Sequence, residues 1–197
     1  MDHQRLAFFP SLRDGIGRLT RLLNTAEGFR EKLLLESSLE AFRCEVEFRR
    51  GLRFFSSKHP SLLFARIHPN SAGQFNHDVM AIISAENPDG IEQPSAENQR
   101  LTEALAGYLA NRGIFASSLS IGAADGSRLE QGFLIGANTE TAVEIGALFN
   151  QVAVFMIYNQ ERVVLISCRG EGRHRLGTLK QMVIWPPLSQ RQNPGPT

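Results

Sequence analysis

Between Val79 and Cys168 the chain alternates short, bulky apolar runs with amphipathic stretches, and this alternation limits the folds open to it. The run "VMAIIS" is continuous and apolar, as expected of a strand covered on both faces. Next, "SAENQRLTEALAGYLANRG" places Leu101, Leu105, Tyr108 and Leu109 on one helical face and ends at Gly113, a left-handed stop. Two further strands, "FASSLSIG" and "EQGFLIGA", flank "AADGS", whose Asp125–Gly126 pair predicts a hairpin turn. A second helix, "NTETAVEIGALFNQ", is capped by Asn138 or Thr139 and turns Ala142, Ile145 and Phe149 inward. The runs "VAVFMIY" and "RVVLISC" close the series as strands around a turn at Asn159 and Gln160.

Upstream the pattern is first helical. Leu12, Ile16, Leu19, Leu22 and Leu23 recur at three- and four-residue spacing, and Thr25 is placed to cap a second helix whose Phe29, Leu33 and Leu34 share a face. Phe42, Cys44, Val46 and Phe48 then alternate strictly with Arg43, Glu45, Glu47 and Arg49, which predicts a half-buried strand. Residues 50–78 carry no clear period, and "SLLFARI" suits either a short strand or a helical turn. The expected class is α+β: a mixed or antiparallel sheet with an embedded β-α-β-β-α-β series, the order of ferredoxin-like sandwiches, and helices on one face. A helical extension over 1–39 precedes this domain at 40–185, and the tail 186–197 has too few apolar residues to order itself.

Composition removes several function classes. The formal charge of +1 exerts no global pull on nucleic acid or membrane, and no RNP-type aromatic motif is present, so nucleic acid is a disfavoured partner. No apolar run approaches the roughly 20 residues of a spanning helix, and "MDHQRLAFFPSLRDG" lacks a signal-peptide core; a soluble, cytoplasmic protein without a membrane partner is expected. Cys44 and Cys168, far apart and outside any CxxC spacing, read as buried free thiols. His68, His77 and Asp78 fit no zinc spacing, so no metal is expected, and no sequence motif implies a cofactor. The segment "CRGEGRHRLGTLK" brings Arg169, Arg173, Arg175 and Lys180 near glycines, yet it lacks the Lys-Ser/Thr ending of a P-loop.

The four letters Ser-Ala-Glu-Asn occur twice, at 84–87 and 95–98. The first copy ends a strand and meets Pro88, which biases Asn87 toward an extended or turn conformation. The second opens a helix, with Ser95 as its expected N-cap and Glu97 in the first turn. A strand exit and a helix start therefore explain the repeat. Both lie on a strand-to-helix connection, where ligands often meet free backbone groups.

The series "ISAENP", "SAEN", "LEQGFLI" and "ALFNQVAVF" resembles the bacterial domain-of-unknown-function family 3293, over about residues 40–168. Ser84 stands where that family usually has Thr, and Leu129 precedes Glu130 where a Trp is usual. The resemblance singles out Asn87, Asn98, Glu130 and Gln151. Should these converge at one sheet end, a carboxylate with three amides would suit a small polar ligand, with Glu130 the one group able to move a proton. The competing reading has them satisfying turn and cap backbone groups among themselves. An alternative function is a homodimer or protein interaction module using the helices over 12–35. Whether any reaction is catalysed stays open at this stage.

Overall fold

The computed structural model describes residues 12–26, 28–70 and 75–185. The tail 186–197, expected to stay unordered, lies outside them. The chain divides into two compact units, Met1–Arg50 and Gly51–Thr197.

In the first unit, helix α1 (Leu12–Thr25) is followed by α2 (Phe29–Lys58). Leu19 and Leu39 are buried, with Ile16, Leu23 and Leu35 packed against them. Leu22, Leu33 and Leu34 are each more than half exposed, so the inward face of α2 is set by Leu35 and Leu39 rather than by Leu33 and Leu34. Thr25 ends α1 instead of capping α2: its hydroxyl donates back to the carbonyls of Arg21 and Leu22.

The strand expected over 42–49 is not formed. The whole segment is helical, and α2 passes residue 40 unbroken and continues into the second unit. Three features favour the helix. Glu45 and Arg49, on the same face one turn apart, form an ion pair of 2.7 Å. Ser38 and Ser56 return their hydroxyls to carbonyls of the preceding turn, so neither breaks the ladder. Beyond the alternating octet, Gly51 and Phe55 are both buried at helical spacing, and Phe55 is fully so.

In the second unit a short helix α3 (Pro60–Phe64) leads into β1 (Arg66–Pro69), so "SLLFARI" is a helical turn and a strand in succession. There follow β2 (Val79–Ser84), α4 (Ser95–Asn111), β3 (Ala116–Gly122), β4 (Glu130–Ile135), α5 (Thr139–Leu148), β5 (Ala153–Tyr158) and β6 (Arg162–Ser167). The series ends with β7 (Arg173–Thr178) and α6 (Leu179–Met182). The seven strands form one sheet in the order β1-β3-β4-β2-β5-β6-β7, every neighbouring pair antiparallel. The protein is thus α+β with an antiparallel sheet. The sheet curls: after α6 the chain returns to the far edge, where Val183 bridges Ile67 and the Ile184 amide donates to the Ile67 carbonyl at 2.8 Å.

Both faces of the central strands are covered, which explains their unbroken apolar composition. Met80, Ile82, Phe155, Ile157, Val163 and Leu165 join Phe55, Leu179 and Met182 in one cluster. Ala81, Ile83, Val154 and Met156, at the alternate positions, are fully buried on the other side. Here α5 packs against β2 and β5, and α4 against β3 and β4. Glycines permit several of the close approaches. A Cβ on Gly51 would fall 2.3 Å from the Arg173 carbonyl oxygen, and one on Gly146 would fall 2.6 Å from the Cys168 Sγ.

The turns follow the sequence closely. Ser118–Phe133 and their neighbours pair across the β3–β4 hairpin, with Gly126 at φ 80° in its turn. Asn159 and Gln160 take φ 52° and 54° between β5 and β6, Gly113 takes 66° after α4, and Asn138 caps α5 by accepting from the Thr141 amide. Ser95 is not the cap of α4. Pro94 occupies that position, without a side-chain bond, and Ser95 is the first helical residue. Missing from the sequence reading is β7: "RHRLGT" is a strand paired with β6, not a loop around a phosphate.

Candidate functional site

The site lies where β2 ends. Ser84 pins that end to β4: its hydroxyl donates to the Gln131 carbonyl at 2.8 Å and accepts the Glu86 amide at 3.0 Å. The chain then turns sharply through Asn87, which takes left-handed angles (φ 51°, ψ 54°), followed by a 3-10 turn over Pro88–Gly90 with Asp89 at φ 60°. Asn tolerates this region because its short side chain can satisfy nearby backbone groups. Here it satisfies several.

Asn87 is the hub of a hydrogen-bond network. Its amide N–H donates to Asn98 Oδ1 at 2.9 Å, and Asn98 Nδ2 donates back to Asn87 Oδ1 at 3.0 Å. The same Oδ1 accepts the Gln93 amide at 2.9 Å. Asn87 Nδ2 is left to donate to Glu130 Oε1, at 2.8 Å. The first turn of α4 thus locks the β2 exit through Asn98, and the locked Asn87 aims its one remaining donor group at the first residue of β4. Asp89 fastens the turn from the other side, its amide donating to the Asn150 carbonyl at 2.8 Å and its carboxylate pairing with Arg169.

Of the four residues singled out from sequence, Asn87, Asn98 and Glu130 meet and line one cleft of about 1320 Å³. Gln151 does not line it. Nearly buried, it donates from Nε2 to the Glu86 carbonyl at 3.0 Å and to the Phe149 carbonyl at 3.4 Å, holding the β2 exit from behind. For the two asparagines and Gln151 the bonds are therefore mostly those of a brace.

Glu130 differs. Among the described residues its carboxylate has a single hydrogen bond, that from Asn87, which leaves the second oxygen without a protein partner. Burial holds its pKa above the ordinary value of 4.5; the Asn87 hydrogen bond opposes this, and the charge of Glu86 adds to it. Glu86, which also lines the cleft, accepts a hydrogen bond from Thr102 at 3.2 Å. Nothing in the sequence marks Glu86 apart from its place beside Asn87 at a strand exit, inside a phrase that backbone turns already explain. Two exposed apolar side chains also line the cleft, Phe64 at 71% and Leu129 at 44% exposure.

No group of three or more His, Cys, Asp or Glu side chains is arranged to hold a metal among the described residues. His68 is taken up by a 3.0 Å bond to the Ala123 carbonyl. Cys44 and Cys168 form no disulfide and are half-buried rather than buried; Cys44 lies on α2 rather than on a strand, its thiol donating to Glu40 Oε1 at 3.6 Å. No helix among the described residues is long and apolar enough to cross a membrane.

Fold and site together define an α+β domain that presents a braced carboxylate in a cleft at the end of an antiparallel sheet. Residues 83–154 match the model of a family described as a protein of unknown function, DUF3293. The matched segment is narrower than the 40–168 resemblance read from the motifs, yet it contains Asn87, Asn98, Glu130 and Gln151. No curated protein and no solved structure matches the chain.

Proposed function

We propose that the protein is a cytoplasmic small-ligand-binding domain whose site is the cleft floored by Asn87, Asn98 and Glu130, with Gln151 as a support. The observation that carries this reading is the incomplete bonding of Glu130: one oxygen is oriented by a braced Asn87, and the other has no partner among the described residues. That second oxygen is not sealed from solvent, so a donor on a ligand entering the cleft can reach it and replace water there. The chain order β2-α4-β3-β4-α5-β5 and the sheet order β3-β4-β2-β5 support assigning the scaffold to the ferredoxin-like sandwich, with α4 and α5 on one face. Sheet ends next to helix starts are frequent ligand sites on such layered folds.

The test is to denature the purified protein and identify released small molecules by mass spectrometry, alongside a thermal-shift screen of polar metabolites. A released or stabilising compound whose effect is lost in Glu130→Gln is the expected result. If nothing is released, and no compound shifts the wild-type melting temperature more than that of Glu130→Gln, the cleft is not a binding site.

A second reading, a homodimer or protein partner held by residues 12–35, is supported by the exposure of Leu22, Leu33 and Leu34. Light scattering on the full chain and on a chain lacking 1–36 checks it. An unchanged oligomeric state removes this reading.

A further inference from the structure

The turn that carries Asn87 has a backbone that needs holding. Asn87, Asp89 and Gly90 take φ of 51°, 60° and 71°, and two of the three are not glycine. Such a conformation persists only where its surroundings fix it. Asp89 is fixed by the Asn150 carbonyl and by Arg169. Gly90 is fixed by packing. A Cβ there would fall 3.2 Å from His59 Nδ1, 3.4 Å from its Cε1 and 3.6 Å from Val152 Cγ2, so the imidazole lies against the bare α-carbon. The ring also packs on Phe54, with centroids 5.3 Å apart. Its backbone is anchored: the His59 amide donates to the Phe55 carbonyl at 2.9 Å, and its carbonyl accepts from the Leu62 amide at 3.1 Å. Among the described residues neither ring nitrogen has a hydrogen-bond partner, and neither is sealed from water. The charged groups that face the ring are Arg169 and Glu171 from the β6–β7 connection and Lys58 from the end of α2. Asp89, in the turn itself, is committed to Arg169.

We propose that His59 is a proton-operated clasp on this turn: the neutral ring holds Gly90 in place, and the charged ring leaves Gly90 and lets the Asn87–Gly90 turn open. A neutral imidazole can rest against Gly90 and Phe54 with its nitrogens unbonded, whereas an imidazolium has two donors to satisfy and draws toward water. Charging it also sets a second cation beside Arg169, the residue that holds Asp89, and near Lys58. Glu171, already bonded by the Ser167 hydroxyl, offsets this only in part. Burial first, then Arg169 and Lys58, accordingly hold the His59 pKa below its ordinary 6.5. The stability that the neutral ring contributes is complete above that ordinary value and is lost as pH falls through the lower, folded one. The effect reaches the cleft because Asn87 belongs to the turn. Opening it releases the amide that Asn87 gives to Asn98, the bond its Oδ1 accepts from Gln93 and the donor it aims at Glu130. The clasp stands whether or not the cleft takes a ligand.

The experiment is NMR on the full chain carrying Glu130→Gln, so that Glu130, which titrates above 4.5 beside Asn87, contributes nothing. Between about pH 7.5 and about pH 4.5 it follows the His59 ring signals and the hydrogen exchange of the Asn87 and Gln93 amides, corrected for intrinsic rates. The ring should titrate below 6.5, and protection of both amides should fall by about tenfold or more with that same midpoint, while the amides of β5 keep theirs. Adding His59→Phe, which keeps an aromatic ring on Gly90 but takes no proton, should remove the loss of protection in that window. The inference is overturned if the two amides are unprotected throughout, if their protection is constant, or if it falls with a midpoint other than that of His59. It is equally overturned if the loss persists in His59→Phe. A shift of the Gly90 signal with unchanged protection marks only the field of the charged ring, and it counts against the clasp. Should His59→Phe fail to fold, agreement or disagreement of the two midpoints in the first chain decides.

Discussion

Glu130→Gln should change the pH dependence of stability in a direction fixed by the structure. The substitution keeps the side-chain shape, and its Oε1 can still accept from Asn87 Nδ2, the 2.8 Å contact of the wild type. What it removes is the ionisable group. In the folded protein Glu130 titrates above 4.5, chiefly through burial, so the native state retains a proton that the unfolded chain has released. Stability must then fall as pH rises from the unfolded value through the folded one, because the native state binds more protons in that window. The Gln variant lacks this decline. Replacing a charge-assisted bond of about 1.5–3 kcal/mol by a neutral one of about 0.5–1.5 kcal/mol gives up roughly 1 kcal/mol. The raised pKa says that burial and Glu86 outweigh that gain once Glu130 is charged. Wild type and variant should therefore lie within about 1 kcal/mol of each other at about pH 4, with the variant gaining on the wild type by about pH 8. For a domain of this size 1 kcal/mol corresponds to about 2–4 °C in Tm. Thermal melts of both proteins across that range are the assay. A constant gap, or a wild type that gains on the variant as pH rises, would refute the reasoning.

Asn98→Ala should cost about 1–3 kcal/mol in urea denaturation, since it strips the acceptor from the Asn87 amide at the braced turn. Gly51→Ala should destabilise by about 3 kcal/mol or prevent folding, because its Cβ would meet the Arg173 carbonyl oxygen at 2.3 Å, backbone that cannot swing aside. Gly107→Ala, in mid-helix with nothing within 4 Å of the added carbon, should instead stabilise by up to about 1 kcal/mol in the same assay. Cys168, whose thiol burial pushes up to about 12, should resist iodoacetamide in the native protein at about pH 8 and react on unfolding, as peptide mapping will read.

Sequence carried most of the second unit because its signals are local and agree with one another. The turns at Gly113, Gly126 and Asn159–Gln160 need backbone angles that few residues adopt, and β2, β5 and β6 are apolar enough to require burial on both faces. Residues 42–49 misled because eight residues of strict alternation are compatible with a helix whose burial is set by residues outside the window. The buried Gly51 and Phe55 lie beyond the octet, and extending the window to them shows the helical spacing. The strand β7 was hidden for the opposite reason: "RHRLGT" is half-exposed, charged and irregular, with a register shift opposite Val163–Val164, so it has no apolar period to read. At the site, residue types were legible and roles were not. Asn87 and Gln151 look equivalent in sequence as amides at element ends. Which of them faces a cleft depends on the strand order, which brings Glu130 of β4 beside the end of β2.

The return of the chain to β1 has a consequence for how the protein reaches its native state. Ile67 and its partner Val183 are separated by more than a hundred residues of chain, with β2 through β7 between them. Contacts of such long sequence separation carry a high closure entropy and form late. On a ribosome, β1 emerges long before the segment that will cover its outer side. During that interval its backbone groups form an open template for any extended peptide nearby. Val183 and Ile184 thus act as the terminal latch of folding. A chain interrupted before them would leave β1 as an unprotected edge, prone to pairing with other molecules of its own kind.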